Sequence, residues 1–408
     1  MKPELLFLAH RIPYPPDRGD KIRSWHVLRH LARHARVHLA CFADDAADSA
    51  HLAALRAALG DGLGETFVST IRPGKLLWLA KAYCGRLTIN EAAMSSTGLR
   101  EFVARILAER PVAGIYAFSV QMARYVPADL GRPFVMDFVD FDSAKYADYA
   151  RKSGFAGRLI YDREARKMFA LEKATAARAD VSLFVSEAEA AFFRAEARLP
   201  RADIRAMSNG IDLDFYSPEA VLPPIEAPRA PFVAFTGQMD YRPNVEAVRA
   251  FARNVMPTIR KLYDARFAIV GRRPDASVRE LDGKDGVIVT GEVPDVRPWL
   301  AAASVVVAPL QIARGIQNKV LEAMAMGRPV VASRGAFEGI DAVPGRDLVV
   351  ADSPDEQFDA VLSLWEEPER AEAMGKAARA RMVERYSWDA QLAPLAAMLG
   401  LDARKAAA

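Results

Sequence analysis

The residues best placed to do chemistry lie in Ala313–Ser333, ARGIQNKVLEAMAMGRPVVAS. Gly315 punctuates a loop after the apolar run VVVAPL, and the helical pattern beyond it carries Lys319 and Glu322 on one face near the helix start. A cation there opposes the positive end of the helix dipole unless an anion is present, so Lys319 reads as a phosphate clamp. Glu322, one turn deeper, has the two acceptor oxygens needed to hold a pair of vicinal hydroxyls, as on a ribose. A surface i,i+3 ion pair, worth roughly 0.2–0.5 kcal/mol, fits the same spacing, and the residues alone leave the two readings level.

Two further strand–glycine–helix turns are written in the chain. FVAFT runs into Gly237–Asn244 (GQMDYRPN) before a helix predicted from about Val245, a device that presents bare backbone N–H groups to an anion such as a diphosphate. Arg242 would add a charge-assisted contact there. Near the N-terminus, His10–Asp20 (HRIPYPPDRGD) precedes a helix predicted from about Lys21. Pro13, Pro15 and Pro16 stiffen that loop, and Gly19 lets the backbone approach whatever sits at the helix start; an ordinary structural turn explains it as well.

Short β-branched runs alternate with helical periodicity from end to end. The first half predicts strands at Leu5–Ala9, Val37–Phe42, Glu65–Ser69, Val112–Ala117, Phe134–Asp137, Val181–Val185 and Ile204–Met207, with helices such as Ile22–His34 and Gly157–Arg178. The second half predicts Phe232–Thr236, Arg266–Val270, Val287–Thr290, Val305–Ala308, Pro329–Ala332 and Leu348–Val350. Such alternation implies two α/β domains, each a doubly wound parallel sheet covered by helices. Residues 213–231, rich in Pro and Ala and without a period, form the linker between an N-terminal domain over 1–212 and a C-terminal domain over 232–384. The tail from about Pro368 is predicted to be helical throughout, with Tyr386, Trp388 and Leu392 on one face and its last part, about 385–400, returning to the first domain. Two doubly wound sheets joined by one linker predict a ligand cleft between the domains, at the carboxyl ends of the strands.

Composition excludes several functions. The chain has 408 residues and a net charge of +3; residues 1–215 hold 31 Lys/Arg against 26 Asp/Glu, and residues 216–408 hold 24 against 26. That asymmetry is too weak for nucleic-acid binding. Cys41 and Cys84 suit buried thiols in a reducing cytosol. The apolar run in MKPELLFLAH is too short for a signal peptide, and no stretch approaches the roughly 20 apolar residues of a membrane span, so a cytoplasmic protein is expected.

NKVLEAMAMGRPVVAS resembles the signature of glycosyltransferase family 4, a group of retaining enzymes with two Rossmann-like domains, the GT-B fold. Further segments fall in the matching order: Pro15–Gly19, SNGIDLDFYSP, FTGQMDYRPN, AIVGRRP, VTGEVPDVRPWLAAASVVVAP and YSW. DFVDFDSAKY and GIQNKVLEAMAMG are similar to a bacterial subgroup associated with exosortase (PEP-CTERM) and exopolysaccharide gene clusters. The resemblance implies transfer of a sugar from a nucleoside-diphosphate sugar to a saccharide or lipid-linked acceptor. Glu322 would hold the ribose, and backbone around Gly291 and Val293 the base. Gly237, Gln238 and the helix start Gly315, Ile316, Asn318 and Lys319 would meet the phosphates and sugar, with Gly19 approaching the diphosphate from the other domain. Three departures from the family pattern stand out. Arg314 occupies the position of the earlier of two glutamates, Gln238 and Pro243 replace an Arg and a Lys, and Tyr116–Ser119 (YAFS) lacks a His. Phosphate charge would then fall to Arg242, Arg314 and Lys319.

Positioned cations and helix ends can stabilise a departing diphosphate without a metal or cofactor, and a retaining enzyme needs no protein base if that phosphate takes the acceptor proton. Asp140 is either an acceptor or sugar contact or a helix-capping residue before Ser143; a metal held by Asp140 and Asp142 is not expected. Residues 72–87, RPGKLLWLAKAYCGRL, fit a basic amphipathic helix on an anionic membrane surface or a core helix with snorkelling cations. A donor-binding but non-catalytic homologue and a nucleotide-sugar epimerase of the same fold are the competing readings.

Overall fold

The computed structural model describes residues 2–16, 19–44, 50–71, 74–85, 87–228, 230–311 and 316–401. Its chain divides into two compact units, residues 1–209 with 391–408 and residues 210–390. Each is built on a wholly parallel sheet, which must be covered on both faces and therefore uses continuous apolar runs as its strands.

In the first unit the strands are β1 (Glu4–Ala9), β2 (Arg36–Ala43), β3 (Leu63–Thr70), β4 (Val112–Phe118), β5 (Phe134–Val139), β6 (Val181–Phe184) and β7 (Ile204–Ala206), in the order β3-β2-β1-β4-β5-β6-β7. In the second they are β8 (Phe232–Thr236), β9 (Arg266–Val270), β10 (Val287–Gly291), β11 (Val305–Ala308), β12 (Val330–Ala332) and β13 (Val349–Val350), in the order β10-β9-β8-β11-β12-β13. Both orders reverse direction between their first and fourth strands, β1 and β4 or β8 and β11. Loops leaving those strands at their carboxyl ends diverge and open a crevice.

The helices that precede β9 include α1 (Gly19–His34), α2 (Lys75–Cys84), α3 (Asp142–Lys152), α4 (Phe155–Ala176) and α5 (Arg242–Asn254). α1 begins two residues before the predicted start, and α5 begins at Arg242 rather than Val245 because Pro243 occupies its first turn. A proline there loses no helical hydrogen bond, and its fixed φ suits the helix, so it starts α5 instead of delaying it.

The tail differs from its prediction. A helix over Pro368–Arg381 widens into a π-turn at Met382–Tyr386, and the chain is extended at Ser387, which bridges Ile211. Short helices follow at Trp388–Leu392 and Leu395–Met398. Ile211 N donates to the Tyr386 carbonyl at 2.7 Å, and a Cβ on Gly210 would lie 2.5 Å from the Trp388 backbone. That strand-like pairing cannot coexist with an unbroken helix. Tyr386, Trp388 and Leu392 are nevertheless all buried, as the pattern required.

The first unit also buries a charge network. Arg23 of α1 donates from Nε to Asp137 Oδ2 at 2.8 Å and from a terminal nitrogen to Asn209 at 2.9 Å, while the Tyr116 hydroxyl donates to the same carboxylate. Burial alone would lower the Arg23 pKa, but paired Asp137 raises it above its ordinary value. Asp137→Asn keeps the volume and removes the charge, leaving an uncompensated guanidinium. It is expected to cost the first unit about 3–5 kcal/mol, measured as a lower midpoint of urea unfolding.

Candidate active site

The carboxyl ends of β8 and β9 meet through two glycines. Gly237 and Gly271 have φ of +155° and +156°, and a Cβ on Gly271 would fall 1.7 Å from the Gly237 carbonyl oxygen. Side chains are excluded from both positions, so the two turns lie against each other and open one face to solvent. The resulting cleft, of about 550 Å³, lies wholly within the second unit and has the size of a small-molecule site.

A helix over Asn318–Ala325, here α6, enters from the β11 side. Among the described residues no side chain caps its N-terminus, and the amides of Val320 and Leu321 donate to the Gln317 carbonyl at 2.9 and 3.3 Å. Lys319 and Glu322 both turn into the cleft, which disposes of the surface ion-pair alternative. Lys319 Nζ lies 4.5 Å from the centre of the Phe235 ring and donates to Asn244 Oδ1, while Asn244 Nδ2 donates to the Gln238 carbonyl at 2.8 Å. Burial lowers the Lys319 pKa to about 8, against a partial rise from Glu322. Burial likewise raises Glu322, opposed by the hydrogen bond donated by the Tyr216 hydroxyl and by Lys319. Tyr216 is itself pushed up by burial and by Glu322. A cation and a carboxylate, each short of solvation and one helical turn apart, make a site that rewards an anion and hydroxyl groups together.

Of the other residues singled out in the sequence, Gly237, Gln238, Val293, Ile316 and Asn318 line this cleft. Gly291 ends β10 at φ +69° and accepts a hydrogen bond from Gly271 N at 3.1 Å; the wall itself is formed by its neighbours Glu292 and Val293. Arg242 departs from its expected role: it is exposed, pairs with Glu246 at 2.7 Å, and is absent from the cleft lining. Opening α5 three residues early turns it outward. Arg314 and Gly315 lie outside the described residues.

The cleft cation that the sequence reading passed over is Arg272, which donates to the Gln238 side chain at 3.2 Å. Its signal was present in AIVGRRP, where a polar residue follows a strand-ending glycine just as Gln238 follows Gly237. Tyr216 and Asn244 lay inside quoted segments but had no assigned task, since partnering with Glu322 and Lys319 is visible only in three dimensions. Thr236 also lines the cleft, its hydroxyl buried without a partner among the described residues.

Asp140 and Gly19 belong to the first unit. Asp140 pairs with Lys145 at 2.5 Å and does not cap α3, whose Ser143 instead donates through N and Oγ to Glu172, at 3.2 and 2.5 Å. Gly19 opens α1 beside Asp20, which holds His10 at 3.2 Å and Arg11 at 2.8 Å. Burial would raise the Asp20 carboxyl, but His10 and Arg11 bring it well below the usual range.

Residues 230–367 match the family model described as "Glycosyl transferases group 1". No curated protein matches the chain. Among solved structures, the chain is similar to HepE from Anabaena in complex with UDP, at 17% identity and a TM-score of 0.61, over 98% of this chain and 100% of that one. It is similar to sucrose-phosphate synthase from Thermosynechococcus elongatus at 18% identity and 0.60, over all of both chains. WaaG, a glycosyltransferase involved in lipopolysaccharide biosynthesis, aligns at 15% identity and 0.58 over 97% of this chain and 100% of that one. The fold is that of the GT-B glycosyltransferases. The group 1 glycosyltransferase match falls within the second unit, the one that holds the cleft.

Gly271→Ala is expected to force the Gly237 turn away and abolish any stabilisation by nucleotides in thermal unfolding, with the first unit's unfolding unchanged. The lysine makes a separate prediction. Because its folded pKa is depressed to about 8, Lys319 is cationic below that pH and neutral above it. Diphosphate affinity should hold below about pH 7 and fall by up to about tenfold per pH unit above 8, while nucleoside affinity stays level. Titration calorimetry across this range checks it, and Lys319→Ala should erase the difference.

Proposed function

We propose that the enzyme moves a sugar, with retention of anomeric configuration, from a nucleoside-diphosphate sugar to a saccharide or lipid-linked acceptor in bacterial exopolysaccharide synthesis. The observation that carries the donor reading is the pair Lys319 and Glu322, desolvated side by side in one cleft. Lys319 and Arg272 offer charge to a diphosphate, and Glu322 offers two oxygens to the ribose hydroxyls. The UDP and UDP-glucose complexes of HepE make UDP-sugars the first donors to try.

Retention, the exosortase-associated subgroup and the polysaccharide role rest on the sequence resemblance. In that reading the donor C1–O bond breaks as the acceptor oxygen bonds to C1, and the acceptor proton passes to the departing diphosphate. Growing negative charge is met by Lys319, Arg272 and the uncapped start of α6, so the reaction proceeds without a metal. Arg314 stays a candidate for contact with the donor sugar, and Asp140 for contact with the acceptor. We place the enzyme in the cytoplasm, peripheral to the membrane where a lipid-linked acceptor would lie; no described helix is long and apolar enough to cross a membrane.

Glu322→Ala should abolish the thermal shift produced by nucleotides and their sugars, because a ligand that binds only the folded state must raise its stability. Lys319→Ala should weaken diphosphates more than nucleosides. Product anomers read by proton NMR decide the stereochemistry: an inverted product rejects the retaining mechanism, and binding without turnover across donors and acceptors favours a non-catalytic homologue.

A further inference from the structure

Among the described residues the most exposed aromatic side chain stands at the start of α4. Phe155 is 84% exposed and Leu159, one turn on, is 58% exposed, with Ile160 beside it also in solvent. Tyr149, near the end of α3, is half exposed, and its ring lies 5.8 Å from that of Tyr161 of α4. α2 is held against the same helix. Arg163 covers the exposed Tyr83 ring at 4.1 Å and donates to the carbonyls of Ala82 and Leu87 at 2.8 and 3.0 Å. The patch therefore continues into the segment whose composition suggested membrane contact. Within that segment Trp78 and Leu79 are partly buried, and among the described residues of this region the most exposed apolar side chains are those of α4.

We propose that the corner between α3 and α4 docks on an anionic bilayer, burying Phe155 and Leu159 at the acyl boundary with Tyr149 and Tyr83 at headgroup level. Charge favours this occupant: residues 148–167 hold six Lys/Arg against three Asp/Glu. Arg158, in the first turns of α4, has among the described residues one charged partner, the exposed Asp162 at 3.7 Å, and is open to phosphate headgroups. A few projecting apolar side chains ringed by cations and tyrosines suit a lipid interface. They fall well short of the roughly 800 Å² per partner that a stable protein interface buries. The inference serves the lipid-linked acceptor of the proposed function, but its test uses no substrate, so either can fail without the other.

The experiment is sedimentation of the full chain with phosphatidylcholine vesicles with and without phosphatidylglycerol. Binding is expected to need the anionic lipid and to rise with its fraction. Phe155→Ser with Leu159→Ser should weaken it at least about tenfold, and Arg158→Glu should weaken it while flattening the dependence on anionic lipid. Leu262→Ser, an exposed apolar position of the second unit, should change nothing. Unaltered melting and nucleotide response in the variants would show that the fold and the donor cleft survive. The proposal is overturned by absence of binding to either vesicle, by equal binding of the double variant, or by a concentration-dependent dimer in sedimentation velocity that the same substitutions dissolve.

Discussion

A lysine ammonium with little water around it is the constraint on which the cleft of the second unit turns. Lys319 lies above the Phe235 ring and donates to the Asn244 amide, and neither partner carries a charge that would neutralise it. The nearby carboxylate, Glu322, lies one helical turn away and is itself short of solvation. Two glycines at the ends of β8 and β9 keep the space before them clear. The protein thus holds a desolvated positive charge in readiness, a preorganisation that suits the leaving diphosphate of the proposed reaction.

Much of this was legible in the residues alone. Buried parallel strands read as apolar runs, so all thirteen strands fall where alternation set them, give or take two residues. Lys319 and Glu322 were identifiable as a pair because helical spacing alone puts i and i+3 on one face. Which way that face turns is a tertiary fact, and the sequence could not separate a ligand site from a surface ion pair. Arg242 and Arg272 illustrate the same limit. Both follow a strand-ending glycine, yet Pro243 starts α5 early and carries Arg242 to the outside, whereas Arg272 stays beside Gln238. The break at Ser387 was hidden for a related reason: it is imposed by pairing with Ile211, a partner far away in the chain.

The two units handle buried charge in opposite ways. In the first, Arg23 is countered by Asp137 and further tied to Asn209. In the second, Lys319 and Glu322 stay incompletely served. Buried ionisable groups perturbed by desolvation and opening on a cavity are the usual mark of a working site, and compensated ones the mark of scaffolding.

The returning tail has a consequence for how the molecule is made. Leu392, Leu395 and Leu399 are completely buried, and the Leu399 carbonyl lies against Gly114 of β4 in the first unit. That unit therefore draws part of its core from residues made after the whole of the second unit. Domains emerging during synthesis usually fold in order, the earlier one first. Here the earlier unit lacks Leu392, Leu395 and Leu399 until the later one has been translated and these residues follow it.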